Sequence, residues 1–454
     1  MGNNNTINRP TTTTIINREE SDNIDKMSEV EAEETKIITA VIVGAGNRGQ
    51  MYAEFSRIHP ERFKVVAVAD PKKFARTYIQ KRYKLTDERV FEDFNDILKL
   101  EKLADCVVIA TPDALHKEPA VGFANAGYHI LLEKPMAVTE EDCREIVAAC
   151  KKNNTILSVG HVLRYYPPLQ KLKELINSGI IGDVVNIHLH EPVGFYHFAH
   201  SYVRGNWRNE DESTFVLMAK CCHDIDLLLW WFEGQRCTKV SSFGSLFQFR
   251  KEKKPEGASS RCMDCSVEKE CPYSAKKMYL DPIKEGCVGW SSVICDEPSI
   301  ESVTDALRNG PYGRCVYESD NDVCDNQVVN FEFENGQTAT FSMVAFTEKL
   351  CERQVKVFGT MGELTFNGSG PISRFDFNSK EIFIHKPVCS FSGFGGHGGA
   401  DYHLINSFVH ALAENDPSKV VTGADISLRS HLLVFRAEQA RVEGRVVVPE
   451  DVLV

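Results

Sequence analysis

The sequence predicts two domains of different class: a doubly wound parallel α/β domain, then an α+β domain with a large, open, mainly antiparallel sheet. Three observations lead there. Buried-strand and helix patterns alternate from residue 37 to about 160, as a doubly wound sheet requires. A glycine turn, Gly44-Ala45-Gly46-Asn47-Arg48-Gly49, sits between the first strand and the first helix. From about residue 168, apolar and polar residues alternate with period two, the mark of half-buried antiparallel strands. The expected division is a disordered tail over 1–36, a Rossmann domain over 37–161, and an α+β domain over 162–454. The last carries a cysteine-rich insertion at about 251–325.

The first strand, Ile37–Val43, is apolar throughout, as a parallel strand covered on both faces should be. Met51, Tyr52, Phe55 and Ile58 then recur at helical spacing. Between these elements the G-x-G-x-x-G pattern gains meaning. Gly44 permits the tight turn, Gly46 lets a pyrophosphate approach the backbone, and Gly49 lets helix and strand pack closely. Ala45, Asn47 and Arg48 complete the turn, and the first N–H groups of the helix face the phosphate. The second strand, Phe63–Ala69, ends in Asp70, an acid placed for ribose hydroxyls. A carboxylate there repels a 2′-phosphate and favours NAD; Lys72 and Lys73 partly offset it and leave NADP open.

Asp105–Ala110 is a third buried strand, ending in Thr111-Pro112-Asp113, with His116 opening the next helix. Tyr128–Leu132 delivers Glu133-Lys134-Pro135, where the proline fixes the turn and permits a cis peptide. Thr139 caps the helix that follows, with Asp142 as its partner three residues on. Thr155–Val159 leads into Gly160-His161-Val162-Leu163-Arg164-Tyr165. Ligands in open α/β sheets bind beyond the carboxyl ends of the strands. Gly44, Asp70, Thr111, Lys134 and Arg164 all fall at that edge.

In the second half, Met218–Phe232 reads as one helix carrying Lys220, His223, Asp224 and Asp226. Val329, Phe331 and Phe333 alternate with polar residues, Asn335-Gly336 reads as a two-residue hairpin turn, and Ala339, Phe341 and Met343 continue the pattern. Arg353–Gly359, Glu363–Asn367 and Glu381–His385 add strands, and helical patterns close the chain at 401–414 and 425–442. The insertion holds Cys262-x2-Cys265-x5-Cys271, besides Cys287, Cys295, Cys315 and Cys324. Three thiolates with a fourth from Cys287 or Cys295 suit a structural zinc. An iron–sulfur cluster or unligated thiols are the alternatives.

Apolar content of 43% and charged content of 26% are ordinary for a globular chain. A net charge of −12 argues against a nucleic-acid partner or an anionic membrane surface. No apolar run approaches the roughly 20 residues that a membrane span needs. Met1-Gly2-Asn3-Asn4-Asn5-Thr6 fits a myristoylation pattern, but the stretch behind it is acidic, so a lipidated form would hold a membrane weakly. Fifteen cysteines without a secretion signal point to a reducing compartment, with the cytosol as default.

The ordered set GAGNRG, Asp70, ATPDALH (110–116), EKP (133–135), GHVLRYYP (160–167) and KCCHDID (220–226) resembles the Gfo/Idh/MocA oxidoreductases. The likeness extends through GGHGGAD (395–401) and SHLLVFRAEQAR (430–441). It implies NAD(H) or NADP(H), chemistry at a carbinol carbon of a sugar, cyclitol or related polyol, and a homodimer or homotetramer formed through the open sheet. By that resemblance Lys134 is the base, Glu133 orients it or the nicotinamide ribose, and His223 binds substrate or relays a proton. Thr111, Pro112, His116 and Arg164 join the cofactor set by position. Many members carry an aspartate four residues before the histidine. Here Ala219 stands there, and Lys220, at i and i+3 with His223, is expected to point into the pocket instead. Tyr165, His200, Arg204, Trp207 and Asp224 are the expected substrate contacts, since aromatic planes and an arginine suit a sugar-like ligand. His197, Asn206, His397 and Asp401 are further candidates. Two other readings stand beside the dehydrogenase: a nucleotide-sensing regulator without turnover, and an NAD-dependent glycosidase that lends and recovers a hydride.

Overall fold

The computed structural model describes residues 36–391, 393–450 and 452. The N-terminal tail and its acylation pattern lie outside the described residues. The first sheet comprises β1 (Ile38–Val43), β2 (Phe63–Ala69), β3 (Val90–Phe91), β4 (Cys106–Ile109), β5 (His129–Leu132) and β6 (Leu157–Val159), in spatial order 3-2-1-4-5-6. Every pairing in it is parallel. The order reverses between β1 and β4, the switch point where such sheets bind ligands. Strand β3 escaped sequence reading because two residues carry no pattern.

Side chains of β1 alternate between the two faces, Ala40 and Ile42 on one, Val41 and Val43 on the other. The second of these faces is covered by the helices Lys117–Asn125 and Glu140–Lys152. In the latter, Thr139 accepts the N–H of Asp142, as its spacing predicts. The first face is covered by the helix after the glycine turn, Asn47–Ile58, and by Ala400–Glu414, which returns from far along the chain. Leu404, Ile405 and Phe408 of that returning helix are fully buried there.

The second sheet has eight strands: β7 (Val184–Pro192), β8 (Cys237–Ser245), β9 (Asn326–Phe333), β10 (Thr338–Val344), β11 (Gln354–Gly359), β12 (Gly362–Asn367), β13 (Ile372–Asp376) and β14 (Ile382–His385). Their order is 14-13-12-11-7-10-9-8, antiparallel except between β7 and β10. One face packs on the helices Pro167–Asn177, Cys222–Trp231 and Ala424–Glu443. On the other face Phe243 and Val328, paired across β8 and β9, stand exposed.

Two local expectations change. The β9–β10 turn is a three-residue loop: Phe333 donates its N–H to Gln337 O at 2.8 Å, and Gly336 takes φ +80°. A turn closed by one left-handed residue is the common three-residue hairpin, which the Asn-Gly pair does not distinguish from the two-residue form. The expected helix 218–232 is also broken. Val216–Ala219 and Cys222–Trp231 are separate helices, with Lys220 and Cys221 in the turn between them.

Phe341 lies in β10 with no exposed surface. Phe341→Ala is expected to cost about 3–5 kcal/mol, read as a lower denaturant midpoint for the second domain; an unshifted midpoint would contradict the packing described.

Candidate active site

The glycine turn is shaped by close backbone approach. Gly44 has φ +86°, and a Cβ on it would lie 2.5 Å from Ala110 O. A Cβ on Gly49 would lie 1.9 Å from Gly44 O, whereas one on Gly46 meets nothing within 4 Å. No side chain caps the helix that starts there, and its first turn carries no acid. The open space over Gly46 and the uncapped N–H groups fit a dinucleotide pyrophosphate. Ala45 donates its N–H to Asp70 Oδ2, and Lys72 donates its own to Oδ1, both at 2.7 Å. Asp70 therefore pins the turn, and each oxygen keeps acceptor capacity for a ribose hydroxyl.

Arg48 ties the turn to the rest of the edge. Its Nε donates to Glu133 Oε1 at 2.6 Å, and its Nη2 to Asp401 Oδ1 and Tyr52 Oη, each at 2.8 Å. Tyr52 donates to the same Glu133 oxygen at 2.7 Å, and the Lys134 N–H meets Glu133 Oε2 at 3.0 Å. Burial opposes the Glu133 charge, but Arg48, Tyr52 and Lys134 hold the carboxyl below its usual range. Asp401, likewise buried, is held down by Arg48 and by His397, whose Nδ1 is 2.9 Å away.

The Lys134–Pro135 peptide bond is cis. The fully buried His116 ring is braced between Pro135 O at 2.7 Å and Thr111 O at 2.9 Å, while Thr111 Oγ1 donates to Leu115 O. Pro112 precedes the single turn Asp113–Leu115. Lys134 Nζ, at the carboxyl end of β5, donates to Ala219 O at 2.7 Å, crossing from the first domain to the second. Asp113 is buried beside it; burial pushes its carboxyl up against the pull of Lys134, His116 and the Trp207 indole N–H, which donates to Oδ2 at 2.8 Å. His223 is buried too. Burial, then Lys134 and His161, push the ring well below the ordinary histidine range, so it is neutral. Its Nδ1 has no partner among the described residues.

Residues 38–161 match the family described as "Oxidoreductase family, NAD-binding Rossmann fold", and residues 173–378 match its "C-terminal alpha/beta domain". The chain belongs to the Gfo/Idh/MocA oxidoreductase family. The "Putative oxidoreductase YteT" of Bacillus subtilis is 25% identical over 391 residues, 80% of this chain and 87% of that protein. An "Uncharacterized oxidoreductase" of Streptococcus pneumoniae is 48% identical over 84 residues, 18% of this chain and 23% of that protein. The "2,7-anhydro-N-acetylneuraminate hydratase" of Escherichia coli is 31% identical over 175 residues, 38% of this chain and 41% of that protein. Among solved structures, an Agrobacterium radiobacter oxidoreductase in complex with NAD+, L-tartaric acid and magnesium superposes with a TM-score of 0.66 at 15% identity. It covers 92% of this chain and 100% of that one. Apo scyllo-inositol dehydrogenase from Lactobacillus casei gives 0.63 at 17%, covering 92% and 99%. These two show the fold.

Within this Gfo/Idh/MocA chain, several residues read from sequence as lining the site spend their polar atoms on the protein. Lys220, displaced by the helix break, donates to Cys351 Sγ at 2.9 Å and lies 3.3 Å from Glu191. Burial works against its charge, but Cys351, Glu191 and Tyr202 hold the ammonium above the usual lysine value. Asp224 has no exposed surface and pairs with Arg353, which also meets Glu191 at 2.9 Å. Arg164 grips Asp226 through Nε at 2.6 Å and Nη2 at 2.8 Å, and Tyr165 Oη faces Thr422 Oγ1. His200 Nδ1 meets Tyr279 Oη at 2.7 Å under the insertion, and Arg204 bonds Arg314 O and Tyr273 O there. Trp207 reaches the Lys134 neighbourhood through Asp113.

Among the described residues, no three His, Cys, Asp or Glu side chains are grouped to hold a single metal ion, so the zinc expected at Cys262, Cys265 and Cys271 is not confirmed. Sequence reading passed over Asp113, though ATPDALH placed it at a strand end. It also missed the buried cation of Arg353. His161, unpartnered at both nitrogens among the described residues, lies between His223 and His431 with ring centroids 5.7 and 5.2 Å away.

Burial and His161 push His431 down to about 3, and burial and Arg204 do the same to His200. An unfolded histidine titrates near 6.5. Between those values the unfolded chain binds more protons than the folded one, so stability rises with pH there and is lost as pH falls. The melting temperature is expected to drop steadily from about pH 6.5 to about pH 4; a flat profile would contradict the buried neutral rings.

Proposed function

We propose that this chain is an NAD-dependent dehydrogenase or reductase acting at a carbinol or carbonyl carbon of a sugar, cyclitol or related polyol. The observation that carries the reading is Lys134 Nζ at the carboxyl end of β5, beside neutral His223 and buried Asp113. The family supports NAD, and Asp70 favours it over NADP. The turn Gly44–Gly49 and Asp70 would hold the dinucleotide, and a bound nicotinamide supplies the hydride acceptor.

In the oxidative direction the amine form of Lys134 accepts the substrate hydroxyl proton at Nζ, positioned by Ala219 O. In reduction the ammonium returns that proton to the carbonyl oxygen. A carbonyl anchor in place of the family's carboxylate takes a full negative charge away from the amine. His223 offers a neutral ring beside Lys134 to a second hydroxyl. Trp207 holds Asp113 in place beside Lys134.

The likeness to an anhydro-sugar hydratase supports a second reading, in which hydride is lent and recovered without net oxidation. The two differ in one readout: a dehydrogenase accumulates NADH from a polyol, whereas the second reading converts its substrate with no NADH appearing. On a polyol and uronic-acid panel, Lys134→Met is expected to bind NAD as the parent does and to lose about 10²–10⁴-fold in turnover. Full turnover in that variant would remove Lys134 as the base, and NAD binding without conversion of any substrate would favour the sensing regulator.

We also propose that the exposed face of the second sheet joins copies of the chain into a dimer or tetramer, supported by the paired Phe243 and Val328 on it. Phe243→Glu is expected to shift sedimentation toward the monomer; a parent chain that sediments as a monomer would refute the assembly.

A further inference from the structure

Part of the segment between β8 and β9 packs on the main core of the second domain, through Phe249, Tyr273, Val316, Tyr317 and Val323. The segment's own apolar cluster is Cys262, Ala275, Tyr279, Leu280, Val303 and Leu307, and the rest is short helices and turns. A unit of this kind usually depends on disulfides or a metal. The described cysteines are all free.

Four of those thiols converge. Cys262, Cys265 and Cys271 line a cavity of about 140 Å³ together with Cys315 from the far end of the insertion. The backbone builds this meeting deliberately. Arg261 and Arg314 form an isolated antiparallel bridge, and Cys315 donates its N–H to Ser260 O at 2.8 Å, which sets Cys315 opposite Cys262. The two cysteines expected from sequence as the fourth ligand stand elsewhere. Cys287 is exposed, and the Cys295 thiol faces Ser291 O at 3.6 Å.

A second, independent observation concerns charge. Arg204 also lines the cavity and is 1% exposed. Its partners are all neutral: Arg314 O and Tyr273 O, each at 2.8 Å, and Cys262 Sγ at 3.4 Å. Its Nη1 has no partner among the described residues. A buried guanidinium facing only carbonyls and a thiol lacks a counter-ion, a costly arrangement. Thiolates bound to a metal centre supply that negative charge, and sulfur accepts the free N–H.

A single zinc would draw its sulfurs to about 2.3 Å from one point, and no such grouping exists among the described residues. Four sulfurs spread around a cavity suit a polynuclear centre held by Cys₄. We infer that Cys262, Cys265, Cys271 and Cys315 hold a [4Fe–4S] cluster that staples the insertion over the helix carrying Arg204. A preformed cluster enters by ligand exchange: for each cysteine, the S–H bond and the bond between iron and a donor thiolate break, an Fe–S bond to the cysteine forms, the proton leaves with the released donor thiolate, and no electron passes to or from the chain.

The full chain, purified without oxygen and reconstituted with a preassembled iron–sulfur donor, is assayed for iron, zinc and acid-labile sulfide. About four irons and about four sulfides per chain are expected, with the broad visible absorption of such a centre. Cys315→Ser is expected to lose most of the iron, while Cys287→Ser and Cys295→Ser keep it. Zinc without sulfide, no metal after reconstitution, or a fully loaded Cys315→Ser would each overturn the assignment. Should Cys315→Ser fail to fold, the parent chain's iron and sulfide content decides alone. The readout is metal content, so it stands or falls apart from any turnover at Lys134.

Discussion

The pairing of the part-exposed Arg48 with the buried carboxylates Glu133 and Asp401 is the constraint on which the site depends. Three elements meet in it: the helix after the glycine turn, the end of β5, and the helix that returns from the C-terminal part. Both carboxylates are almost without exposed surface, and Arg48 is the cation that bridges them. Stripping one partner from such a cluster leaves a charge in a poorly solvated place, a loss on the order of 3–5 kcal/mol. The chain gains orientation from this arrangement. Glu133 holds its neighbour's backbone N–H, and so fixes where the Lys134 side chain departs from β5.

The reacting edge belongs to neither domain alone. Lys134 reaches across to the carbonyl of Ala219, and Trp207 reaches back to Asp113. Arg164, just beyond β6, grips Asp226 in the helix that carries His223. Each contact joins a segment at or just beyond a strand end of the first sheet to the second domain, two of them to its helices and the third to the turn that carries Trp207. Relative movement of the two halves would therefore act on Lys134 and Asp113 directly, because the same bonds that join the domains also aim the side chains.

How much of this was legible in the sequence follows from the range of the forces involved. The glycine turn, the buried parallel strands and the two closing helices were readable because short-range spacing determines them, and their ends agree within a few residues. Strand β7, central to the second sheet, went unnamed because its nine residues mix His188, His190 and Glu191 into an apolar pattern. The misplacement of Lys220 came from extending one helical period through a break at Lys220 and Cys221 that no glycine or proline announces. Asp224, Arg164 and Arg204 looked like ligand contacts because charged residues near a motif usually face solvent. Each instead found a partner more than fifty residues away, and single-sequence spacing carries no trace of such pairings.

The helix Ala400–Glu414 has a consequence for how the molecule can be taken apart. It closes one side of the first sheet with residues encoded after nearly all of the second domain, so the nucleotide-binding half is not a contiguous stretch of chain. During synthesis that half emerges with Phe55 and Phe63 bare, and it stays unfinished until the ribosome has passed Phe408. The larger half must therefore take shape in the company of an incomplete partner, and maturation of the two is a single event rather than two in sequence.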